Sequence, residues 1–271
     1  MNTDVRQEKI NNLLSKGSYN FDDLVTIMEL LRSEGGCPWD REQTHKSIRN
    51  NFIEETYEVI EAIDTDDSKL LREELGDVML QIVFHARMEE EAGEFNVNDV
   101  ANDVCAKLIH RHPHIFGDND AKTSEEVLKN WEAIKNVEKS RVTYTDKLRA
   151  IPPMFPALLR AQKVGKKASF FDFENADLVI EKIYEETAEV KEAMTSGTQE
   201  QVEEEIGDLL LTVTSLARKA GVDSEEALFK AVNKFIGRFE KVENATIEKG
   251  LSVDKMSMAE LDAIWDEIKH K

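Results

Sequence analysis

Glu54-Glu55-Thr56-Tyr57-Glu58, followed by Glu73-Glu74-Leu75-Gly76-Asp77, recurs as Glu185-Glu186-Thr187-Ala188-Glu189 followed by Glu204-Glu205-Ile206-Gly207-Asp208. Each acid and each glycine of the second copy lies 131 positions after its counterpart, as Glu185 does from Glu54 and Asp208 from Asp77. An acidic chain produces Glu-Glu pairs by chance, but not a matched set in one register. The chain is therefore read as a tandem duplication.

Working outward, apolar residues recur at helical spacing: Leu24, Ile27, Met28 and Leu31, then Val59, Ile60 and Ile63, then Leu75, Val78, Met79, Ile82 and Val83. Runs rich in Val, Ile and Thr with strand alternation are scarce. The fold class expected is all-α, a tandem repeat of two helical domains. Helices are expected at about 21–34, 44–64, 67–91, 97–111, 124–139, 155–168, 176–195, 198–220, 223–248 and 257–270. Pro152, Pro153 and Pro156 break the periodicity between the fifth and sixth, so domains are expected over 1–145 and 157–271, joined by a linker at 146–156.

The duplication extends past the acids. Lys107 and Arg111 answer Lys234 and Arg238, Trp131-x-x-Ile134-Lys135 answers Trp265-x-x-Ile268-Lys269, and Trp39-Asp40 answers Phe171-Asp172. Each half thus follows one plan: an aromatic-Asp turn, two acid-bearing helices, a basic helix and a Trp-Lys helix.

At 271 residues the chain is long enough for two ordinary cores, and 41% hydrophobic with 33% charged residues fits a soluble globular protein. No apolar run approaches the length that spans a bilayer, so no membrane partner is expected. Residues 1–20 are polar, unlike a signal peptide, and Cys37 and Cys105 build no disulfide framework; a cytoplasmic location is the expectation. A net charge of −20 argues against direct nucleic-acid binding. Nucleotides remain possible ligands if cations bridge them to the protein.

Residues three or four apart share a helix face, which pairs Glu55 with Glu58 and Glu74 with Asp77. The link near Thr65 is short, so the two helices are antiparallel neighbours and four carboxylates converge. Like charges about 5 Å apart at an effective dielectric near 20 repel by roughly 3 kcal/mol per pair, and a divalent cation relieves this. Oxygen-only donors select a hard ion, Mg²⁺ with Mn²⁺ as a substitute. The alternative is that these acids are solvated helix faces. Gly76 and Gly207 weigh against it, because a glycine inside a helix costs about 1 kcal/mol and requires a reason such as close approach of a helix or ligand. Lys234 and Arg238, with Lys107 and Arg111, are candidate phosphate clamps or solvated faces. Trp131 and Trp265 either stack on a base or belong to the core.

These residues resemble the MazG nucleoside triphosphate pyrophosphohydrolases, an all-α family. The resemblance runs from Gly36-Cys37-Pro38-Trp39-Asp40-x-x-Gln43-Thr44 through both acidic copies and Arg111-His112-Pro113-His114-x-Phe116 to Trp265. It implies Mg²⁺-dependent conversion of NTPs and dNTPs to the monophosphate and pyrophosphate by a homodimer whose paired helices complete four-helix bundles. It also implies metal ligands Glu186, Glu189, Glu205 and Asp208, nucleotide contacts Lys234, Arg238, Trp265 and Lys269, and turnover mainly in the C-terminal half. Glu55, Glu58, Glu74 and Asp77 match the metal pattern equally well. Phe170-Phe171-Asp172 departs from related chains, which carry a Gly before the Phe-Asp pair, and this bears on base specificity.

Arg72-Glu73-Glu74-Leu75-Gly76 lacks the rest of a Nudix box, and no Gly-rich phosphate loop is present. His110, His112 and His114 surround Pro113 at a helix end, where they complement the C-terminal dipole. The expected activity is attack of water on phosphorus, with Glu185 or Glu186 accepting its proton. The rival is a helical dimerisation or regulatory module that binds nucleotide or metal without turnover.

Overall fold

The computed structural model describes residues 2–118, 120–248 and 250–269, and among them every regular element is helical. The helices are α1 (Thr3–Ser15), α2 (Phe21–Arg32), α3 (Pro38–Glu42), α4 (Arg49–Asp64), α5 (Ser68–Ala92), α6 (Val97–Arg111), α7 (Pro113–Phe116), α8 (Ser124–Glu138), α9 (Tyr144–Arg149), α10 (Ala157–Lys167), α11 (Ala176–Ser196), α12 (Gln199–Lys219), α13 (Ser224–Glu248) and α14 (Met258–Lys269), with a 3₁₀ turn at Val253–Lys255. The all-α expectation holds. No helix of the described residues is long and apolar enough to cross a membrane.

The chain forms two compact units, Met1–Trp131 and Glu132–Lys271. The stretch expected as a linker, 146–156, includes the end of α9 and then Ile151, which is buried.

Within the first unit α4 and α5 lie side by side, and α2 packs on α5. Met28, Ile48, Val83, Phe84 and Met88 form the core, flanked by Leu24, Val25, Leu80 and Val97. The α4–α5 reversal is tight because Asp66 adopts a left-handed φ of 54° and Asp67 caps α5, accepting from the amides of Lys69 (2.9 Å) and Leu70 (3.0 Å). In the second unit α11 and α12 repeat this hairpin. Here Gly197 makes the reversal, and a Cβ at that position would lie 2.8 Å from the Ala193 carbonyl oxygen. Thr198 then opens α12 with a capping box shared with Gln201. Val179, Val242 and Ile264 are buried in this unit.

Three departures from the sequence reading have local causes. α1 was not expected, because its polar sequence lacks a marked apolar stripe; Asn2 starts it by accepting from the Asp4 amide at 3.2 Å. α4 starts at Arg49 rather than near 44. Thr44 and Ser47 hold a turn there, the Thr44 amide donating to Ser47 Oγ at 2.9 Å and the Ser47 amide to Thr44 Oγ1 at 3.2 Å, and such side-chain bonds compete with helix. Gly76 and Gly207 have nothing within 4 Å of where a Cβ would stand, so no helix of the described chain approaches them closely.

Candidate metal and nucleotide site

Antiparallel pairing of α11 with α12 turns the second acidic motif inward. Glu186, Glu205 and Asp208 each offer a carboxylate oxygen, all within 4.8 Å of one another, with Glu186 buried, Glu205 half-buried and Asp208 exposed. Pairing of α4 with α5 produces the corresponding trio of Glu55, Glu58 and Glu74. The expected sets of four are therefore brought together in part. Glu189 stands outside the second trio and Asp77 outside the first.

The first cluster, and Glu189 beside the second, carry the electrostatic load of crowded carboxylates. Burial, and then the charges of Asp77 and Glu58, raise Glu55 above the ordinary carboxylate range; burial and then Glu58 raise Glu74. Burial also raises Glu189, against the lowering effect of Lys182. Each trio is a group of hard oxygen donors that could hold a metal ion.

Lys182 was not singled out from sequence. It stands on α11 one turn before the acids, with Nζ 2.7 Å from Glu185 Oε1, 2.9 Å from Glu186 Oε1 and 4.0 Å from Glu189 Oε2. Hydrogen bonds to Glu185 and then Glu186 raise its pKa further above the usual lysine range. The 131-residue register would have revealed it, because the equivalent position of the first repeat is Asn51.

The basic and aromatic residues differ between the halves as well. Lys234 and Arg238 lie one turn apart on α13, Lys234 exposed and Arg238 half-buried. α13 packs on α14, placing Trp265 5.3 Å from Phe235 between ring centroids; Lys269 closes α14, exposed. In the first unit Lys107 is exposed but Arg111 is buried, its guanidinium carbon 5.3 Å from the Trp131 ring centroid. His112 meets the same indole edge-on at 4.9 Å, and its Nδ1 lies 2.6 Å from the Leu108 carbonyl oxygen at the end of α6. His112 and His114 pack ring against ring at 5.5 Å, a structural use of the histidines at this helix end.

The aromatic-Asp turns are not equivalent either. Asp172 receives Arg218 Nη1 at 2.7 Å and Lys219 Nζ at 3.0 Å, and Lys219 also donates to the Phe173 carbonyl. Arg218 above all holds the Asp172 carboxyl well below the usual range. Gly165 on α10 leaves room for this lock, since a Cβ there would lie 3.0 Å from Arg218 Nε. In the first unit it is the Asp40 backbone carbonyl that accepts, from Arg32. Phe170 and Phe171 remain exposed.

A duplicated helical hairpin carrying an all-carboxylate cluster that could hold a metal ion, followed by a helix with a basic pair, defines a class of tandem all-α protein. The MazG nucleotide pyrophosphohydrolase domain matches residues 43–116 and again 174–243, so the chain belongs to the MazG family. The nucleoside triphosphate pyrophosphohydrolase/pyrophosphatase MazG of Thermotoga maritima is 44% identical over 251 residues, covering 92% of this chain and 95% of that protein. A nucleoside triphosphate pyrophosphohydrolase of Escherichia coli is 42% identical over 255 residues, covering 92% of this chain and 97% of its own length. One from Mycobacterium tuberculosis is 35% identical over 225 residues, covering 82% of this chain and 58% of that one.

Proposed function

We propose that this chain is a nucleoside triphosphate pyrophosphohydrolase that converts NTPs or dNTPs to the monophosphate and pyrophosphate, with turnover in the second repeat. The observation that carries the reading is the oxygen-only trio Glu186, Glu205 and Asp208 within 4.8 Å, in a family whose similar members bear that name. Glu186, Glu189, Glu205 and Asp208 would hold a divalent ion, Mg²⁺ or in its place Mn²⁺; Glu55, Glu58, Glu74 and Asp77 would hold one in the first repeat. Such an ion neutralises triphosphate charge and orients the reacting groups.

The chain's own groups supply the rest. Lys234 and Arg238 grip the phosphates from one face of α13. Trp265 offers its half-buried indole to the base, and Lys269 lies one turn further along α14. A water attacks phosphorus in line with the leaving pyrophosphate; one P–O bond forms as another breaks, and Glu185 or Glu186 takes the proton. In the first repeat the Trp131 face is already covered by Arg111, which favours a role there without turnover: binding metal or supporting assembly.

A homodimer is part of the proposal. Ile206 and Leu210 of α12, Phe235 of α13 and Ile60, Leu75 and Met79 of α4 and α5 are exposed, a quantity of apolar helix surface that a second copy would cover by completing helical bundles. Adding EDTA to a reaction on mixed dNTPs should stop pyrophosphate release, and Mg²⁺ or Mn²⁺ should restore it. Release that persists in excess chelator contradicts the proposal.

A further inference from the structure

Lys182 is a charge difference on the acid-bearing face of the first helix of each hairpin, with Asn51 at the matching position, and it coincides with a difference in how the carboxylates are arranged. In the second repeat the Lys182 ammonium contacts Glu185 and Glu186 and stands 4.0 Å from Glu189, while Glu189 lies outside the ligand trio. In the first repeat Asn51 takes that position, no ammonium is supplied from it, and Glu58, the counterpart of Glu189, lies inside the trio. The geometry is local and transferable. A residue at 51 or 182 stands three, four and seven positions before the three acids of α4 or α11, so it shares their helix face.

We propose that Lys182 is the internal counter-ion of the second acidic cluster, held on Glu186 and drawing Glu189 aside, and that a divalent ion must displace it to bind. This rests on the metal reading of the cluster and goes beyond it. An ammonium has three donors and one charge, enough to quiet the carboxylates but not to satisfy four of them. A divalent ion entering beside it meets like-charge repulsion, and Glu186 Oε1 cannot serve both cations at full strength. The consequence is a site set for weak metal binding on its own, tightening when a triphosphate brings further oxygen ligands. The first cluster lacks this brake.

The test uses the full chain and Mn²⁺ alone, without nucleotide, following free Mn²⁺ by its electron paramagnetic resonance signal. With the first cluster silenced by Glu58→Gln and Asp77→Asn, Lys182→Gln should tighten Mn²⁺ binding about tenfold, the factor that one unit charge a few Å from a divalent ion gives in largely solvated surroundings. With the second cluster silenced by Glu189→Gln and Asp208→Asn, Asn51→Lys should weaken binding at the first cluster by a similar factor. Unchanged or weaker Mn²⁺ binding in the Lys182→Gln chain makes the lysine a support for the site and overturns the inference, as does an Asn51→Lys chain that binds as before. Absence of Mn²⁺ binding in both silenced backgrounds with Lys182 and Asn51 in place overturns the metal reading itself, and the inference with it.

Discussion

Arg111 covers Trp131. The guanidinium carbon sits 5.3 Å from the indole centroid, and the arginine is buried in doing so, whereas Arg238, its counterpart in the second repeat, stays half-exposed while Trp265 rests against Phe235. A cation over an indole face is worth about 1–2 kcal/mol when partly desolvated, so a base seeking the Trp131 face would have to displace it. The duplicated motif is thus matched in its residues and unmatched in its contacts.

Indole fluorescence should register this difference. Addition of a dNTP with Mg²⁺ is expected to change the emission of the intact chain, and Trp265→Phe should abolish most of that change. Trp131→Phe should leave it in place. A nucleotide response that disappears with Trp131 instead would mean that the first repeat holds the base.

Arg238 is expected to bind phosphate. Arg238→Ala should weaken triphosphate binding by about 1.5–3 kcal/mol, the range for hydrogen bonds to charged groups. The measurement is the Kd of a non-hydrolysable triphosphate analogue, and an unchanged value would make the Lys234/Arg238 face a solvated one.

The Asp172–Arg218 pair gives a pH signature. Because the carboxyl is held below its ordinary range in the folded state, the native chain keeps that proton off at pH values where the unfolded chain takes it up. The stabilisation is fully present above the ordinary aspartate pKa of about 4 and is lost as pH falls through the native value. Asp172→Asn should therefore cost about 1–2 kcal/mol near pH 7 and progressively less in acid, as read from denaturant unfolding. A cost that does not shrink at low pH would place the effect of the substitution elsewhere.

The first acidic trio should be under strain without metal. Glu55 and Glu74 are pushed up because Glu58 and their other acidic neighbours crowd them. Glu58→Gln removes one of the repelling charges, so in EDTA its Tm should exceed that of the parent chain, by a few degrees at most. Differential scanning calorimetry with and without Mg²⁺ checks this. A lower Tm in EDTA would show that the carboxylates are solvated faces rather than a cluster.

Much of this was legible in the residues. Apolar spacing in α4 and α5 and the fixed 131-residue offset placed both hairpins, and the short link that makes the paired helices antiparallel, with the i,i+3 relation of Glu205 to Asp208, placed Glu186 opposite those two acids. What periodicity could not reach was set by contacts between side chains. The late start of α4 depends on the Thr44–Ser47 turn, and the exclusion of Glu189 from the trio accompanies the ion pairs of Lys182. The covering of Trp131 depends on where Arg111, the last residue of α6, points, a matter of rotamer and packing that spacing alone leaves open.

The most direct measurement of the central claim is product analysis by ³¹P NMR on the intact chain and on paired variants, one for each acidic cluster. With Mg²⁺, the account predicts monophosphate and pyrophosphate from a dNTP, a fall in kcat of at least ~100-fold for Glu189→Gln and for Asp208→Asn, and a mild effect for Glu58→Gln. Release of orthophosphate in place of pyrophosphate, or a Glu58→Gln chain as impaired as Glu189→Gln, would contradict it.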